Sequence, residues 1–205
     1  MKEKVIPGFQ KNEEIQSSWK TTYYYDLDGT LSNLNNTFAF IEGYLRSNKK
    51  FVRFFIASNL LRALVITHTY NPYKHRKFII LVYFRGLKKK DLENYYNKHY
   101  KHAFLRSLTL LGKELYENPT SADVMLTGCT EIPAKLIASI FPFKEVISIE
   151  FLYKNGKIRG INSDTHGSNK RMFVSKREKE KAIYYTDDLN SEKSLINFMD
   201  IIIEV

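Results

Sequence analysis

The sequence predicts an α/β layered fold with a mainly parallel sheet and a helical insertion behind its first strand. Three observations carry that reading. Short apolar strands alternate with helical stretches through the second half of the chain. Residues 35–116 show no strand alternation and repeat their apolar side chains three and four apart. Several strand segments end in polar turns, as strand ends do in parallel sheets where ligands gather beyond the carboxyl ends.

In chain order, residues 21–25 (TTYYY) are β-branched and aromatic and form a strand, closed by the turn Asp26-Leu27-Asp28-Gly29-Thr30. The helical stretch follows, with Leu92, Tyr95, Tyr96, Tyr100, Phe104, Leu108 and Leu111 as its clearest repeat and breaks at Asn71-Pro72 and Arg85-Gly86. Residues 123–126 (DVML) predict a buried strand and a Thr-Gly-Cys-Thr turn, then a helix from near Pro133. Residues 146–153 and 156–161 predict two strands joined at Asn155-Gly156, a dipeptide favoured in hairpins. Helix over 168–181, strand over 182–185, helix over 192–198 and strand over 201–205 complete the reading.

With 43% hydrophobic and 14% aromatic residues, the chain of 205 buries a real core, which excludes intrinsic disorder. Its 32 Lys and Arg against 22 Asp and Glu give a net charge of +10, favouring an anionic partner: a phosphorylated metabolite, an anionic membrane surface or nucleic acid. The single cysteine, Cys129, excludes an intramolecular disulfide and a cysteine-built zinc cage. The first twenty residues lack an apolar segment, so no secretory signal is expected there. Residues 51–67 are the most apolar stretch, yet Arg53, Ser58, Asn59 and Arg62 interrupt them and they fall short of the roughly 20 residues a membrane span needs. The expectation is a soluble, cytoplasmic protein. The basic runs at 74–77, 88–90 and 176–181 predict solvated faces, and no RNA- or DNA-binding motif accompanies them, which disfavours nucleic acid.

Chemistry concentrates at the strand ends. Asp26 and Asp28, Thr127 and Gly128, and Asp187 and Asp188 each follow a predicted strand, and Lys170 opens a predicted helix. Carboxylates suit a hard cation, while a lysine and turn N–H groups suit phosphoryl oxygens. Each residue also has a plainer reading: Asp26 and Asp28 as a capping turn, Thr127 as a turn residue, Asp187 and Asp188 as helix caps, Lys170 as a solvated lysine.

Asp26-Leu27-Asp28-Gly29-Thr30 resembles the first motif of the haloacid dehalogenase-like hydrolases, in which the first Asp accepts a phosphoryl group. Val124–Gly128 resembles the second motif, an apolar strand ending in Thr or Ser. Gly167-Ser168-Asn169-Lys170 resembles the third, and Ile183–Asp188 the acidic fourth. The insertion after the first motif and the hairpin before the third resemble the phosphoserine phosphatase-like branch. The resemblance implies a Rossmann-like core (residues 20–35 and 117–205) with a helical cap (36–116), and Mg2+ as cofactor. It implies Asp26 as nucleophile and Asp28 as general acid and base. Gly29, Thr30, Thr127, Gly128 and Lys170 would hold phosphate, and Asp26, Asp28, Asp187 and Asp188 the metal.

Two positions depart from the branch. Ser191 stands where a second acidic residue usually follows Asp187, which weakens the metal set unless Asp188 or Glu192 compensates, and which keeps open a catalytically impaired, phosphate-binding protein of the same fold. Asn35 stands where phosphoserine phosphatases carry a Glu for the substrate amine; a neutral amide cannot balance an ammonium, so phosphoserine is not the expected substrate. The helix over 51–67 is apolar nearly all round, which means burial in a core or contact with a membrane interface. The second alternative matches a lipid phosphate substrate, approached from an anionic membrane surface. The sequence leaves oligomeric state open.

Overall fold

The computed structural model describes residues 6–7, 20–67, 72–117, 124–141, 143–174 and 180–205. At the centre of its sheet lies β2 (Lys20–Tyr25), parallel to β3 (Val124–Thr130) on one side and to β6 (Glu180–Thr186) on the other. Beyond β6 runs β7 (Ile201–Glu204) and beyond β3 runs β4 (Glu145–Lys154), both parallel to their neighbours. Antiparallel strands close the edges: β1 (Ile6–Pro7) on β7, and β5 (Lys157–Ser163) on β4. The order is β1-β7-β6-β2-β3-β4-β5, so the mainly parallel sheet is as expected. The edge strand β1 was not anticipated; a proline is tolerated there because an edge N–H has no ladder partner to lose.

Between β2 and β3 the chain is helical. It forms α1 (Asn36–Ser47), α2 (Phe51–Ile66), α3 (Pro72–Phe84) and α4 (Lys89–Tyr95), which continues through a π-helical turn (Tyr96–Tyr100) into α5 (Lys101–Arg106), and then α6 (Leu110–Glu117). After β3 comes α7 (Glu131–Ala138). Alternation along the strands divides the apolar side chains between two faces. Tyr25 and Met125 point into a large core with Phe40, Ile41, Leu45, Ile79, Ile80, Phe84, Phe104, Ile132, Ile137 and Phe151, which welds the helical block and α7 to the sheet. Tyr24, Val124, Leu126, Tyr184 and Ile202 share a smaller core with Leu195 and Met199 on the other face.

The β4–β5 hairpin turns at Asn155-Gly156 as expected, both residues having positive φ (52° and 69°). Other segments differ from expectation. The Thr-Gly-Cys-Thr segment is the end of β3, not a turn, and the pairing of β3 with β4 shifts between Leu126 and Thr130. The helix expected over 168–181 is a 3-10 helix, Gly167–Phe173, and Glu180 and Lys181 already belong to β6, where they pair with Lys20 and Thr21. The charges of that stretch favour a helix locally, but the sheet overrides the preference. Residues 175–179 lie outside the described residues, as do Asn71 of the first expected break and Asp123 of the expected strand. The helix expected over 192–198 shrinks to one 3-10 turn, Lys193–Leu195, although its spacing of Leu195 and Met199 does mark the buried side chains.

Helix α2 is apolar all round, yet the core takes only part of it. Ala57 and Ser58 are buried, whereas Phe51, Val52, Phe55, Ile56 and Ile66 are exposed. No helix among the described residues is long and apolar enough to cross a membrane.

Candidate active site

The parallel strands bring three chain segments level. Tyr25 pairs with Met125 on one side and Tyr185 on the other, so the residues just beyond them, Asp26, Thr127 and Asp187, meet at one end of the sheet. A pocket of about 390 Å3 opens there, with a wall of polar residues and glycines: Asp26, Asp28, Asn35, Arg76, Thr127, Gly128, His166, Gly167, Lys170, Asp187, Asp188, Ser191 and Glu192. This is the switch point of the sheet, where the chain leaves β2 toward β3 on one side and returns in β6 on the other.

The loop after β2 is held from below. Leu27 and Leu31 are fully buried, and the Leu27 carbonyl accepts from the Leu31 and Ser32 N–H groups at 3.0 Å each. Asp26 Oδ1 accepts from the Leu27 N–H at 2.7 Å, and Oδ2 accepts from Lys170 Nζ at 2.6 Å. Gly29, at φ +83°, lets the loop pass beneath Asp187; a Cβ there would overlap the Asp187 carboxylate. The Gly29 N–H donates to Ser32 O at 2.7 Å, and the Thr30 hydroxyl donates to Asp187 Oδ1 at 3.4 Å. Both residues were expected at the phosphate, but neither lines the pocket; they shape the turn and support Asp187.

Asp28 is positioned by the start of α1. Its Oδ1 accepts from the Asn36 backbone N–H at 2.9 Å and from Asn36 Nδ2 at 2.8 Å, and the Tyr100 hydroxyl donates to Asn36 Oδ1 at 2.9 Å. Burial pushes the Asp28 carboxyl up to about 6, against the lowering by the Asn36 donors and with added repulsion from Asp26. A carboxyl in that range exchanges a proton readily near neutral pH.

Lys170 is buried between two carboxylates. It donates to Asp26 Oδ2 and Glu192 Oε1 at 2.6 Å each and to the Tyr184 hydroxyl at 2.7 Å. Burial alone would lower its pKa, but Asp26 and Glu192 outweigh that and raise it, so the ammonium is firmly charged. All three of its hydrogens are therefore taken by the protein. The sequence places Lys170 on phosphate; in the structure it orients Asp26 instead.

The sequence offers Glu192 only as a substitute for the acid absent at Ser191 and does not single out Tyr184; both hold Lys170. Glu192 is 3% exposed and lines the same pocket as Ser191, the residue before it. Asp188 is engaged differently: its Oδ1 accepts from the Asn190 and Ser191 N–H groups at 2.9 and 3.3 Å, which makes it a cap of its own loop as well as a pocket residue.

Arg76 on α3 is a further residue the sequence missed. It reaches the pocket and donates through Nη2 to Gly128 O at 3.1 Å, while its Nε is buried without a hydrogen-bond partner among the described residues. The run at 74–77 predicts a solvated face, but Arg76 shares its side of the helix with buried Ile79, Ile80 and Tyr83, three, four and seven residues on. That spacing is the signal that would have found it. Thr127 Oγ1 accepts from the Cys129 N–H at 3.1 Å, leaving the hydroxyl hydrogen for a ligand. Gly128 leaves room for His166, whose Cδ2 would stand 3.2 Å from any Cβ there.

Among the described residues no three acidic, histidine or cysteine side chains converge as a ready-made metal site, so a hard divalent cation here would draw on two carboxylates together with backbone oxygen. Asp26 and Asp187 face each other closely enough that partial burial and the Asp26 charge raise the Asp187 pKa, and Glu192 Oε2 is buried with no hydrogen-bond partner among the described residues. Oxygen donors that repel one another and an orphaned carboxylate oxygen nearby are what such a cation relieves.

The sequence model of the haloacid dehalogenase-like hydrolases matches residues 24–190. No curated protein matches the sequence. Among solved structures, a protein of unknown function from Bordetella pertussis Tohama I superposes with a TM-score of 0.65 at 13% identity, over 84% of each chain. A hydrolase of the same family from Salmonella enterica serovar Typhi gives 0.60 at 8% identity, over 89% of this chain and 62% of that one. A substrate-bound phosphoserine phosphatase gives 0.54 at 13% identity, over 89% of this chain and 84% of that one. At these identities the likeness is one of fold.

Proposed function

The chain belongs to the haloacid dehalogenase-like hydrolases, and from that premise we propose that it is a Mg2+-dependent phosphomonoester hydrolase working through an aspartyl-phosphate on Asp26. The observation that carries this reading is the meeting of Asp26, Asp28, Thr127, Lys170 and Asp187 in one polar pocket at the carboxyl ends of β2, β3 and β6.

Asp26 attacks phosphorus, the bond to the leaving oxygen breaks, and Asp28 gives that oxygen its proton. Asp28, now a carboxylate, takes a proton from water as the water attacks phosphorus; the bond to Asp26 breaks and phosphate leaves. Lys170 holds the Asp26 carboxylate in one orientation, and the Thr127 hydroxyl and Arg76 grip the phosphoryl oxygens. Asp26, the Asp28 carbonyl and Asp187 would hold Mg2+, with Glu192 beside them. When bound, the ion supplies positive charge that offsets repulsion between the anionic nucleophile and the anionic substrate. Residues 36–116 act as a cap over a core made of 20–35 and 117–205; Arg76 on Gly128 O and Lys77 on Asp164 (3.6 Å) are ties that support this division.

The substrate is a phosphomonoester with a polar head. Among the described residues the pocket wall offers no apolar side chain, so a lipid phosphate would be recognised by its head group alone, its tail remaining outside. Glu192, whose Oε1 accepts from Lys170, brings a buried carboxylate next to Ser191, which counts against a catalytically impaired protein. Hydrolysis of a panel of phosphomonoesters with and without Mg2+ tests the proposal. Asp26→Asn lowers turnover by about three orders of magnitude or more and abolishes acid-trapped phosphoprotein. A panel that shows no Mg2+-dependent turnover, or turnover that survives Asp26→Asn, overturns it.

A further inference from the structure

The outer face of α2 and α3 has no part in the pocket. Phe51, Val52, Phe55 and Ile56 are 49%, 75%, 57% and 59% exposed, and their spacing puts them on one side of α2. Val52 and Ile56 share a groove of about 600 Å3 with Val82 of α3, and Phe78, 57% exposed, lies one turn before Val82 on that helix. Lys49, Lys50 and Arg53 line the same groove.

The charge around this face is one-sided. Residues 43–90 contain 12 Lys and Arg and no Asp or Glu, so the remaining 157 residues are net negative by 2 and the whole positive charge of the protein belongs to this segment. We infer that the α2–α3 face docks on an anionic lipid bilayer, with Phe51, Val52, Phe55, Ile56 and Phe78 entering the headgroup boundary and Lys49 and Lys50 reaching up to the lipid phosphates.

Two features favour a bilayer over other occupants. A second copy would bring two strongly positive segments together, which their repulsion opposes. A nucleic acid could stack on Phe51, Phe55 and Phe78, but it would leave the aliphatic surface of Val52 and Ile56 between them uncovered, which a bilayer buries. Insertion across the membrane is not available to α2, so contact is peripheral. Arg76 and Phe78 lie two residues apart, about 200° round α3. The same helix thus turns one side to the pocket and the other to the lipid. The inference does not rest on the hydrolase reading, because docking needs no turnover.

Flotation of the intact chain with vesicles tests it, using phosphatidylcholine alone and phosphatidylcholine mixed with phosphatidylglycerol at low salt. The chain is expected to float with the anionic vesicles and not the neutral ones, and added salt weakens the binding. Phe55→Ser/Ile56→Ser and Lys49→Gln/Lys50→Gln each lower partitioning by about tenfold or more, with the circular dichroism of the wild type retained. Asp26→Asn floats like the wild type, which separates docking from catalysis. Failure to float with anionic vesicles overturns the inference, as does flotation that survives both double substitutions. Self-association without vesicles that Phe55→Ser/Ile56→Ser abolishes would assign the face to a second copy, and tighter retention by RNA or DNA than by vesicles would assign it to nucleic acid; either also overturns it.

Discussion

Lys170 at the strand ends and Lys89 on the helical block carry the same charge in opposite surroundings. Lys170 has a 3% exposed side chain and touches two carboxylates at 2.6 Å; Lys89 is 47% exposed and pairs with Glu93 at 3.8 Å, one helical turn away. Water competes for Lys89 and screens its pair, whereas nothing but the protein satisfies Lys170. The difference teaches what each region is for. At the strand ends each polar group constrains its neighbour, so geometry is fixed; on the block, charges act together as a field, and no single pair matters much.

Lys170→Met breaks this contrast most severely, because it leaves Asp26 and Glu192 buried without their cation. Urea unfolding is expected to show a loss of about 3–5 kcal/mol. Adding Glu192→Gln returns part of that loss, and a double-mutant cycle with no coupling would show that the pair is not a unit.

His166 sharpens the comparison through pH. Burial first, then the Arg76 and Lys170 charges, lower its pKa to about 4 against the opposing pull of Asp164 and Asp26. The unfolded chain, near 6.5, therefore binds more protons than the folded one between those values, so this group's contribution to stability is present above 6.5 and is lost as pH falls toward 4. Measured as the difference between wild type and His166→Asn, the wild-type urea midpoint falls relative to the variant across that window. A constant difference refutes the assignment.

The smallest effect belongs to the surface. Lys89→Gln, which removes the exposed pair with Glu93, changes stability by about 0.3–0.5 kcal/mol, and the change fades at high salt. A loss near that of Lys170→Met would mean that the helical block is held by its ion pairs rather than by its apolar core.

Much of this arrangement was legible in the sequence because each motif closes a strand, and parallel pairing then brings Asp26, Thr127 and Asp187 level without further information. Asn155-Gly156 was legible because its backbone demands residues that tolerate positive φ. What stayed hidden depends on distant partners. Arg76 reads as one more cation until α3 is seen to bury that side, and the contact of Glu192 with Lys170, beyond its place as a substitute for the acid absent at Ser191, shows only in the folded chain. The segment ending at Lys181 shows local helix preference, and only its pairing with β2 reveals a strand.

The π-helical turn at Tyr96–Tyr100 has a consequence for the site best described as phase. Leu92, Tyr96, Tyr100 and Phe104 stand four residues apart and are all at most 3% exposed. In an unbroken α-helix a step of four overshoots a full turn by about 40°, so three steps would swing the last side chain about 120° from the first. The wider i→i+5 turn rotates the chain less per residue and takes part of that drift back. Tyr100 consequently stays under Asn36, and Asn36 under Asp28. The Asp28 carboxyl is thereby indexed to a count of residues on a helix remote from it in sequence, and losing or gaining one residue there would put it out of step without touching any residue of the pocket.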